Sequence, residues 1–71
     1  MDTELSALSA AVGTALQARG WMLATAESCT GGWIAEAVTA TSGSSTWFDR
    51  GFVTYANAAK TDMLGVSPTT L

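Results

Sequence analysis

Apolar residues recur every three to four positions near the start of the chain. These positions are Leu5, Leu8, Ala11, Val12, Ala15 and Leu16. Spacing of this kind predicts an amphipathic helix with one buried stripe. Thr3 is the expected cap of this helix, Arg19 lies in its expected last turn, and Gly20 follows as the expected stop residue.

Two runs that are rich in apolar and sheet-forming residues predict strands. The first covers residues 21–26. Because this run is mostly apolar, we expect it to be buried on both faces of a sheet. The second covers residues 47–55, with Phe52, Val53 and Tyr55 as its sheet formers. The three tryptophans, Trp21, Trp33 and Trp47, are expected in the core rather than on a stacking surface.

The segment between the two strands predicts a turn, a helix and a loop. The turn covers residues 27–32 and contains two adjacent glycines. Helical spacing resumes over residues 33–39. The polar residues 42–45 follow as a loop.

Beyond the second strand, the sequence predicts a short third helix. Asn57 is its expected cap, residues 58–64 form the helix, and Gly65 closes it. Ser67 followed by Pro68 then has the pattern of a further helix start.

The predicted order is helix, strand, helix, strand, helix, which favours an α/β layered fold with a parallel strand pair. A sheet of two recognisable strands leaves both of its edges open. Together with the helix start at the end of the chain, this predicts that the chain ends within a domain.

The composition limits how such a chain can be stabilised. A chain of 71 residues buries only about 60% of the surface that its unfolded form exposes. A single cysteine excludes an internal disulfide, and the absence of histidine disfavours a zinc site. Glu27, Glu36 and Asp49 have no recognisable metal-binding spacing. We therefore expect no metal or cofactor, and support from a partner chain or from a further segment.

The charge pattern excludes several classes of partner. The net charge is −3, and the only cations are Arg19, Arg50 and Lys60. The chain thus lacks the basic surface that nucleic acids require, and its acidic surface disfavours anionic membranes. No apolar run approaches the ~20 residues of a membrane span. The acidic start of the sequence and the single cysteine favour a cytoplasmic location.

The residue types that are present restrict the possible chemistry. Without histidine, a Ser-His-Asp or Cys-His mechanism would need a base from another chain. A serine or threonine activated by lysine is left, and Lys60 is the only lysine. The candidate nucleophiles are Ser28, Cys29 and Thr30, of which Cys29 is expected in the core.

Each candidate also has a purely structural interpretation. Gly31 and Gly32 allow a tight turn, and the N–H groups at the start of the next helix could bind a phosphate or an oxyanion. Alternatively, this is an ordinary strand-to-helix turn with Ser28 or Thr30 as its cap. Lys60 lies near the start of its helix, where the dipole disfavours a charged ammonium group, but it could equally be a solvated surface lysine.

Two segments resemble a known family. The sequence AESCTGG at residues 26–32 resembles the signature of the CinA C-terminal domain family. The sequence RGFVTYAN at residues 50–57, then Lys60 and LGVSP at residues 64–68, is similar to the next block of that family at the expected spacing. The resemblance covers essentially the whole chain.

The resemblance implies a three-layer α/β/α domain that cleaves the carboxamide of nicotinamide mononucleotide, giving nicotinic acid mononucleotide and ammonia. It implies Ser28 as the nucleophile, Lys60 as its base, and an acyl-enzyme intermediate. It places five residues in or near the substrate pocket: Thr30, Gly31, Gly32, Ser45 and Tyr55.

The resemblance also covers only part of the family's pattern. Family members continue beyond the position of Leu71 with a glycine-rich Thr-Gly motif, so residues 1–71 are expected to be the N-terminal half of one domain. Activity would then need a homo-oligomer or a complementing C-terminal segment. The alternative is a non-catalytic remnant that binds a nucleotide phosphate or takes part in protein interactions.

Overall fold

The structure is a computed structural model that describes residues 2–71. Its elements are α1 (Thr3–Arg19), β1 (Leu23–Glu27), α2 (Trp33–Thr39), a short 3₁₀ helix (Ser44–Thr46), β2 (Phe48–Val53) and α3 (Asn57–Leu64). The predicted order of helices and strands is confirmed, and the bounds of α2 agree with the prediction. Both strands are shorter than predicted. The 3₁₀ helix begins within the predicted loop and ends one residue beyond it.

The two strands form a parallel pair with α2 as the crossover between them. The register pairs Ala24 with Arg50 and Glu27 with Val53, with one irregularity after Leu23. The predicted α/β fold with a parallel pair is therefore confirmed. Because the strands are parallel, their carboxyl ends lie at the same edge of the sheet.

Helix α2 packs on one face of this sheet. A methyl group at Gly51 would lie 2.7 Å from the Thr25 hydroxyl and 3.4 Å from the Cβ atom of Ala35 in α2. On the opposite face, Ala24 and Ala26 are exposed. The prediction that the first strand is buried on both faces is wrong for the described residues, because β1 alternates between partly covered and exposed positions.

Helix α1 packs against α2 and against the segment that follows it. The indole of Trp47, which is 3% exposed, covers the buried Gly13 of α1. Ser9 and Thr41 share a hydrogen bond of 2.6 Å between their hydroxyl groups. Of the three tryptophans that were predicted in the core, only Trp47 is there, since the other two are 59% and 60% exposed.

The predicted helix caps are wrong in two places. The side chain of Asp2, rather than that of Thr3, accepts a hydrogen bond of 3.1 Å from the Leu5 N–H. Asn57 is the first residue of α3 rather than its cap, and the cap residue Ala56 has no side chain that could accept such a bond. The predicted ends of α1 and α3 at Gly20 and Gly65 are confirmed.

The end of the chain forms a turn rather than a regular helix. Thr70 N–H donates to the Ser67 carbonyl at 2.9 Å, and Thr69 N–H donates to the Ser67 hydroxyl at 3.4 Å. The predicted capping role of Ser67 is thus present in a single turn. Among the described helices, none has the length and hydropathy that a membrane span requires.

Candidate active site

A tight turn places Ser28 directly after β1. Gly31 N–H donates to the Ser28 carbonyl at 3.1 Å, and Trp33 N–H donates to the Thr30 carbonyl at 3.1 Å. Gly31 and Gly32 have φ angles of +63° and +102°. Side chains other than that of glycine are disfavoured in this left-handed region, so the paired glycines allow the chain to reverse direction between strand and helix.

The carboxylate of Glu27 holds this turn in place through hydrogen bonds. It is buried, and it accepts hydrogen bonds from the Thr30 hydroxyl at 2.8 Å, from the Ile34 N–H at 2.7 Å and from the Ala35 N–H at 3.0 Å. Burial alone would raise the pKa of Glu27, but these hydrogen bonds favour the ionised form and the pKa is lowered from its ordinary value. The charge also lies at the positive end of the α2 dipole.

Sequence analysis gave no role to Glu27. The available signal was an acidic residue just before a predicted helix, a position that a helix dipole stabilises. Its contacts with Ile34 and Ala35 are seven and eight residues away along the chain. That separation exceeds the three residues of an ordinary capping box, so a search for local caps does not find it.

The Glu27 carboxylate changes the expectation for anion binding. Phosphate or oxyanion binding at the start of the second helix was expected to use N–H groups there. Those of Ile34 and Ala35 are instead hydrogen-bonded to Glu27. The Thr30 hydroxyl is also used as a donor to Glu27, so an incoming substrate meets its lone pairs rather than its proton.

Lys60 lies in the first turn of α3, half-buried. Its Nζ atom donates to the Tyr55 carbonyl at 3.3 Å and to the side-chain oxygen of Asn57 at 3.4 Å. These contacts hold the Lys60 amine beside the segment that connects β2 to α3.

The sheet brings the turn that contains Ser28 and the segment that contains Lys60 to one edge. The Thr54 N–H donates to the Glu27 carbonyl at 2.8 Å, so the chain pairing continues one residue beyond β2. Ser28 and Tyr55 are the next residues on the two sides, and Lys60 contacts Tyr55. Within residues 2–71, no direct hydrogen bond joins the Ser28 hydroxyl to the Lys60 amine.

The remaining predicted site residues divide into two groups. Thr30, Gly31 and Gly32 belong to the Ser28 turn, and Tyr55 adjoins the Lys60 segment and is 74% exposed. Ser45, in contrast, is exposed in the 3₁₀ helix that precedes β2. It therefore lies beyond the amino end of β2, at the opposite edge of the sheet, about 20 Å away along a six-residue strand.

Cys29 is exposed, so the prediction that it belongs to the core is wrong. It lies in the turn, where the backbone directs its side chain outward rather than toward α2. Across residues 2–71, no cluster of three or more carboxylate or thiol side chains is arranged to hold a metal ion.

The fold and the site define a class of α/β domain in which a serine-containing turn and a lysine share the carboxyl edge of a parallel sheet. The chain belongs to the CinA C-terminal domain family, whose model matches residues 5–71. This confirms the resemblance that residues 26–32 and 50–68 carry.

Two relatives show the similarity along the sequence. The chain is 60% identical over 70 residues to the nicotinamide-nucleotide amidohydrolase PncC of Enterobacter agglomerans. The matched region covers 99% of this chain and 43% of the relative. It is likewise 60% identical to the protein of the same name from Escherichia coli K12, with 99% of this chain and 42% of the relative covered. The chain thus spans less than half the length of these curated relatives.

Solved structures show the same similarity in three dimensions. The competence/damage-inducible protein CihA of Agrobacterium tumefaciens superposes with a TM-score of 0.95 at 51% identity, over 100% of this chain and 43% of that one. A CinA superfamily protein of Escherichia coli superposes with a TM-score of 0.92 at 36% identity, over 100% of this chain and 42% of that one.

Proposed function

We propose that this chain carries the serine nucleophile and the lysine base of an amidohydrolase that converts nicotinamide mononucleotide to nicotinic acid mononucleotide and ammonia. The observation that carries the proposal is the convergence of Ser28 and Lys60 at one sheet edge in a chain without histidine. The names of the PncC relatives supply the substrate class.

The proposed reaction has two steps, and one amine serves both. The neutral Lys60 amine takes the proton of the Ser28 hydroxyl, whose oxygen attacks the carboxamide carbon. The C–N bond then breaks, Lys60 returns the proton to the leaving ammonia, and an ester remains on Ser28. A water molecule attacks the carbonyl carbon of this ester while Lys60 takes its proton. The bond between that carbon and the Ser28 oxygen then breaks, Lys60 returns the proton to the Ser28 oxygen, and nicotinic acid mononucleotide leaves.

The neighbouring residues have proposed roles in the pocket. Thr30, Gly31 and Gly32 shape the wall behind Ser28, and the backbone can approach the substrate closely where side chains are absent. The exposed ring of Tyr55 offers a flat surface for the pyridine ring. Ser45 lies at the opposite edge of the sheet. We therefore propose that the Ser45 that lines this pocket comes from a second copy of the chain.

The surroundings of the site support a larger assembly. The outer sheet face with Ala24 and Ala26 is exposed, and α3 has no buried residue. We propose that residues 1–71 form the N-terminal half of one three-layer domain, and that a second copy or a C-terminal segment completes the pocket. We place this reaction in the pyridine nucleotide cycle of the cytoplasm.

The test is ammonia release from nicotinamide mononucleotide by the purified chain, with circular dichroism on the same sample. Ser28→Ala and Lys60→Ala are each expected to lower the rate by about 10³-fold or more. Lys60→Arg is expected to be equally inactive, because a guanidinium group does not act as a neutral base. Ser42→Ala, in the exposed loop after α2, is the matched serine control and should keep the rate of the unsubstituted chain.

Two results would overturn the proposal. One is full activity in a folded Ser28 or Lys60 variant. The other is a folded unsubstituted chain that releases no ammonia either alone or together with a C-terminal segment that completes the domain, since inactivity in both cases is what a non-catalytic remnant would show. Acid quenching during turnover, followed by mass spectrometry, should locate the acyl group on the peptide that contains Ser28.

A further inference from the structure

The nucleophile turn is held by a single buried side chain that the proposed reaction does not use. Glu27 precedes Ser28, and its carboxylate contacts Thr30, Ile34 and Ala35 on the other side of the turn. Its backbone carbonyl accepts from Thr54 N–H at 2.8 Å. One residue thereby connects the end of β1, the start of α2 and the end of β2.

We propose that Glu27 is the positioning residue of this site, whose carboxylate fixes the turn that carries Ser28 to the first turn of α2. This inference rests on the proposed function, because it assigns Ser28 as the group that is positioned. Ser28 lies between two points that the carboxylate fixes, Glu27 itself on one side and Thr30 on the other. The backbone of Ser28 can therefore move little unless the Glu27 contacts break.

The two glycines make such an anchor necessary. Gly31 and Gly32 close the turn in left-handed conformations. Glycine gains more conformational freedom than any other residue when such a constraint is released. The hydrogen bonds of the Glu27 carboxylate span these glycines, since they reach from Thr30 to Ala35. Loss of the carboxylate would thus free the turn at the place where Ser28 must be held.

The acceptor chemistry distinguishes a carboxylate from its closest replacement. The Glu27 carboxylate accepts three hydrogen bonds, and each of its two oxygens accepts at least one of them. Glutamine has the same shape, but one of its two terminal atoms is a donor. In Glu27→Gln, an NH₂ group would face an N–H or O–H donor. Glu27→Asp keeps the charge but is one methylene shorter, so it cannot reach α2 while the backbone stays in the sheet.

The charge of Glu27 is balanced by backbone dipoles and not by a cation. In the described part of the chain, Arg50 pairs with Asp49 at 2.7 Å, and Lys60 contacts Tyr55 and Asn57. No exchange of ion-pair partners would therefore restore the turn after Glu27 is replaced.

A purely structural cap and a positioning residue predict different kinetics. A cap that only stabilises α2 would lower the amount of folded protein, and the folded fraction would keep its turnover rate. A positioning residue lowers kcat in molecules that are folded, because a displacement of about 1 Å at the reacting atoms can cost about 100-fold. KM should stay within about threefold, because Glu27 does not contact the substrate in this proposal.

The experiment compares Glu27→Gln and Glu27→Asp with Glu36→Gln, a matched control whose glutamate is exposed on α2, the helix that the Glu27 carboxylate contacts. Steady-state kinetics with nicotinamide mononucleotide are measured at a temperature where circular dichroism shows each variant folded. Amide NMR of residues 28–35 is recorded on the same samples. Both Glu27 variants are expected to lose about 100-fold in kcat, and their amides from Ser28 to Ala35 should shift and exchange faster with solvent. Glu36→Gln should match the unsubstituted chain in both measurements.

The two readouts separate this inference from the proposed function. If the unsubstituted chain releases no ammonia, either alone or with the completing C-terminal segment, the proposed function fails and the amide spectra alone decide whether Glu27 fixes the turn. Unchanged amides of the nucleophile turn in folded Glu27→Gln would overturn the inference. In an active chain, an unchanged kcat in that variant would overturn it as well.

Discussion

The indole ring of Trp47 lies against the Cα atom of Gly13, at the one point of α1 where no side chain separates the helix from that ring. Both residues are buried, and Trp47 is 3% exposed. The contact joins the first helix to the residue that precedes β2. The absence of a side chain at Gly13 therefore lets the Trp47 ring approach the backbone of α1 closely.

We predict that Gly13→Ala destabilises the chain although alanine favours helix formation. Helix propensity alone would stabilise by about 1 kcal/mol. The added methyl group would, however, lie 2.6 Å from the Cζ2 and Nε1 atoms of Trp47, and such overpacking costs about 1–3 kcal/mol. Urea unfolding measures the difference. Ala11→Gly, at an exposed position of α1, measures the propensity effect by itself. A Gly13→Ala chain that is more stable than the original would show that the ring moves away freely.

A second prediction concerns Gly51 and Thr25, which face each other across the two strands. The Thr25 hydroxyl is buried and, among residues 2–71, has no hydrogen-bond partner. Gly51→Ala would place a methyl group 2.7 Å from that hydroxyl, so we expect a loss of about 1–3 kcal/mol. Adding Thr25→Ala should recover about 1 kcal/mol of that loss, because the group that obstructs the methyl is gone. A double-mutant cycle by chemical unfolding tests this, and strictly additive effects would contradict it.

A third prediction concerns the hydrogen bond of 2.6 Å between the hydroxyls of Ser9 and Thr41. Ser9 is buried on α1, and Thr41 follows α2. Ser9→Ala should lower the free energy of unfolding by about 1–3 kcal/mol, since the Thr41 hydroxyl loses its partner. Ser6→Ala, at an exposed position of the same helix, should change it by less than about 0.5 kcal/mol. If the two substitutions change the stability equally in thermal unfolding, the Ser9–Thr41 hydrogen bond does not stabilise the chain.

A fourth prediction concerns acid stability. The pKa of Glu27 in the folded chain is lowered from its ordinary value of 4.5. A carboxyl group with a lowered folded pKa contributes stability that is complete above the unfolded pKa and is lost as pH falls through the folded one. The free energy of unfolding should therefore be level above about pH 5.5 and should decline below 4.5.

Glu27→Gln isolates this contribution from that of the other carboxylates. The variant should be less stable than the original chain near neutral pH, and the difference between the two should shrink as the pH falls below 4.5. Glu36→Gln, which removes an exposed carboxylate from α2, should leave the pH dependence of unfolding unchanged. Parallel curves for the original chain and Glu27→Gln from pH 7 to pH 3 would contradict the assignment.

The local elements were predictable because their signals are local. Helical spacing over residues 33–39 gave the bounds of α2, and Gly20 and Gly65 marked the ends of α1 and α3. The parallel pairing followed from the alternation of strands and helices. The caps were less predictable, because Asp2 and Thr3 are neighbours that can both cap a helix.

The features that could not be predicted depend on which surfaces meet. Trp33 has the spacing of a core residue but is 60% exposed, since nothing in residues 2–71 covers its side of α2. Cys29 is exposed for a similar reason, as it belongs to a turn at the sheet edge. At the site, Ser28 and Lys60 came from the absence of histidine together with the family resemblance. The importance of Glu27 depends on contacts that only the folded turn creates.

The parallel pairing of β1 and β2 has a consequence for the order of folding. Helices α1 and α2 are held by bonds between residues that are close in sequence, whereas Glu27 and Val53 meet only after the intervening segment has closed into a loop. The closing of such a loop carries an entropic cost before any contact compensates for it. The Ser28 turn and the Lys60 segment are therefore brought together by the slowest type of contact in the chain. Helix content can thus be present in a molecule that has not yet brought the Ser28 turn and the Lys60 segment together.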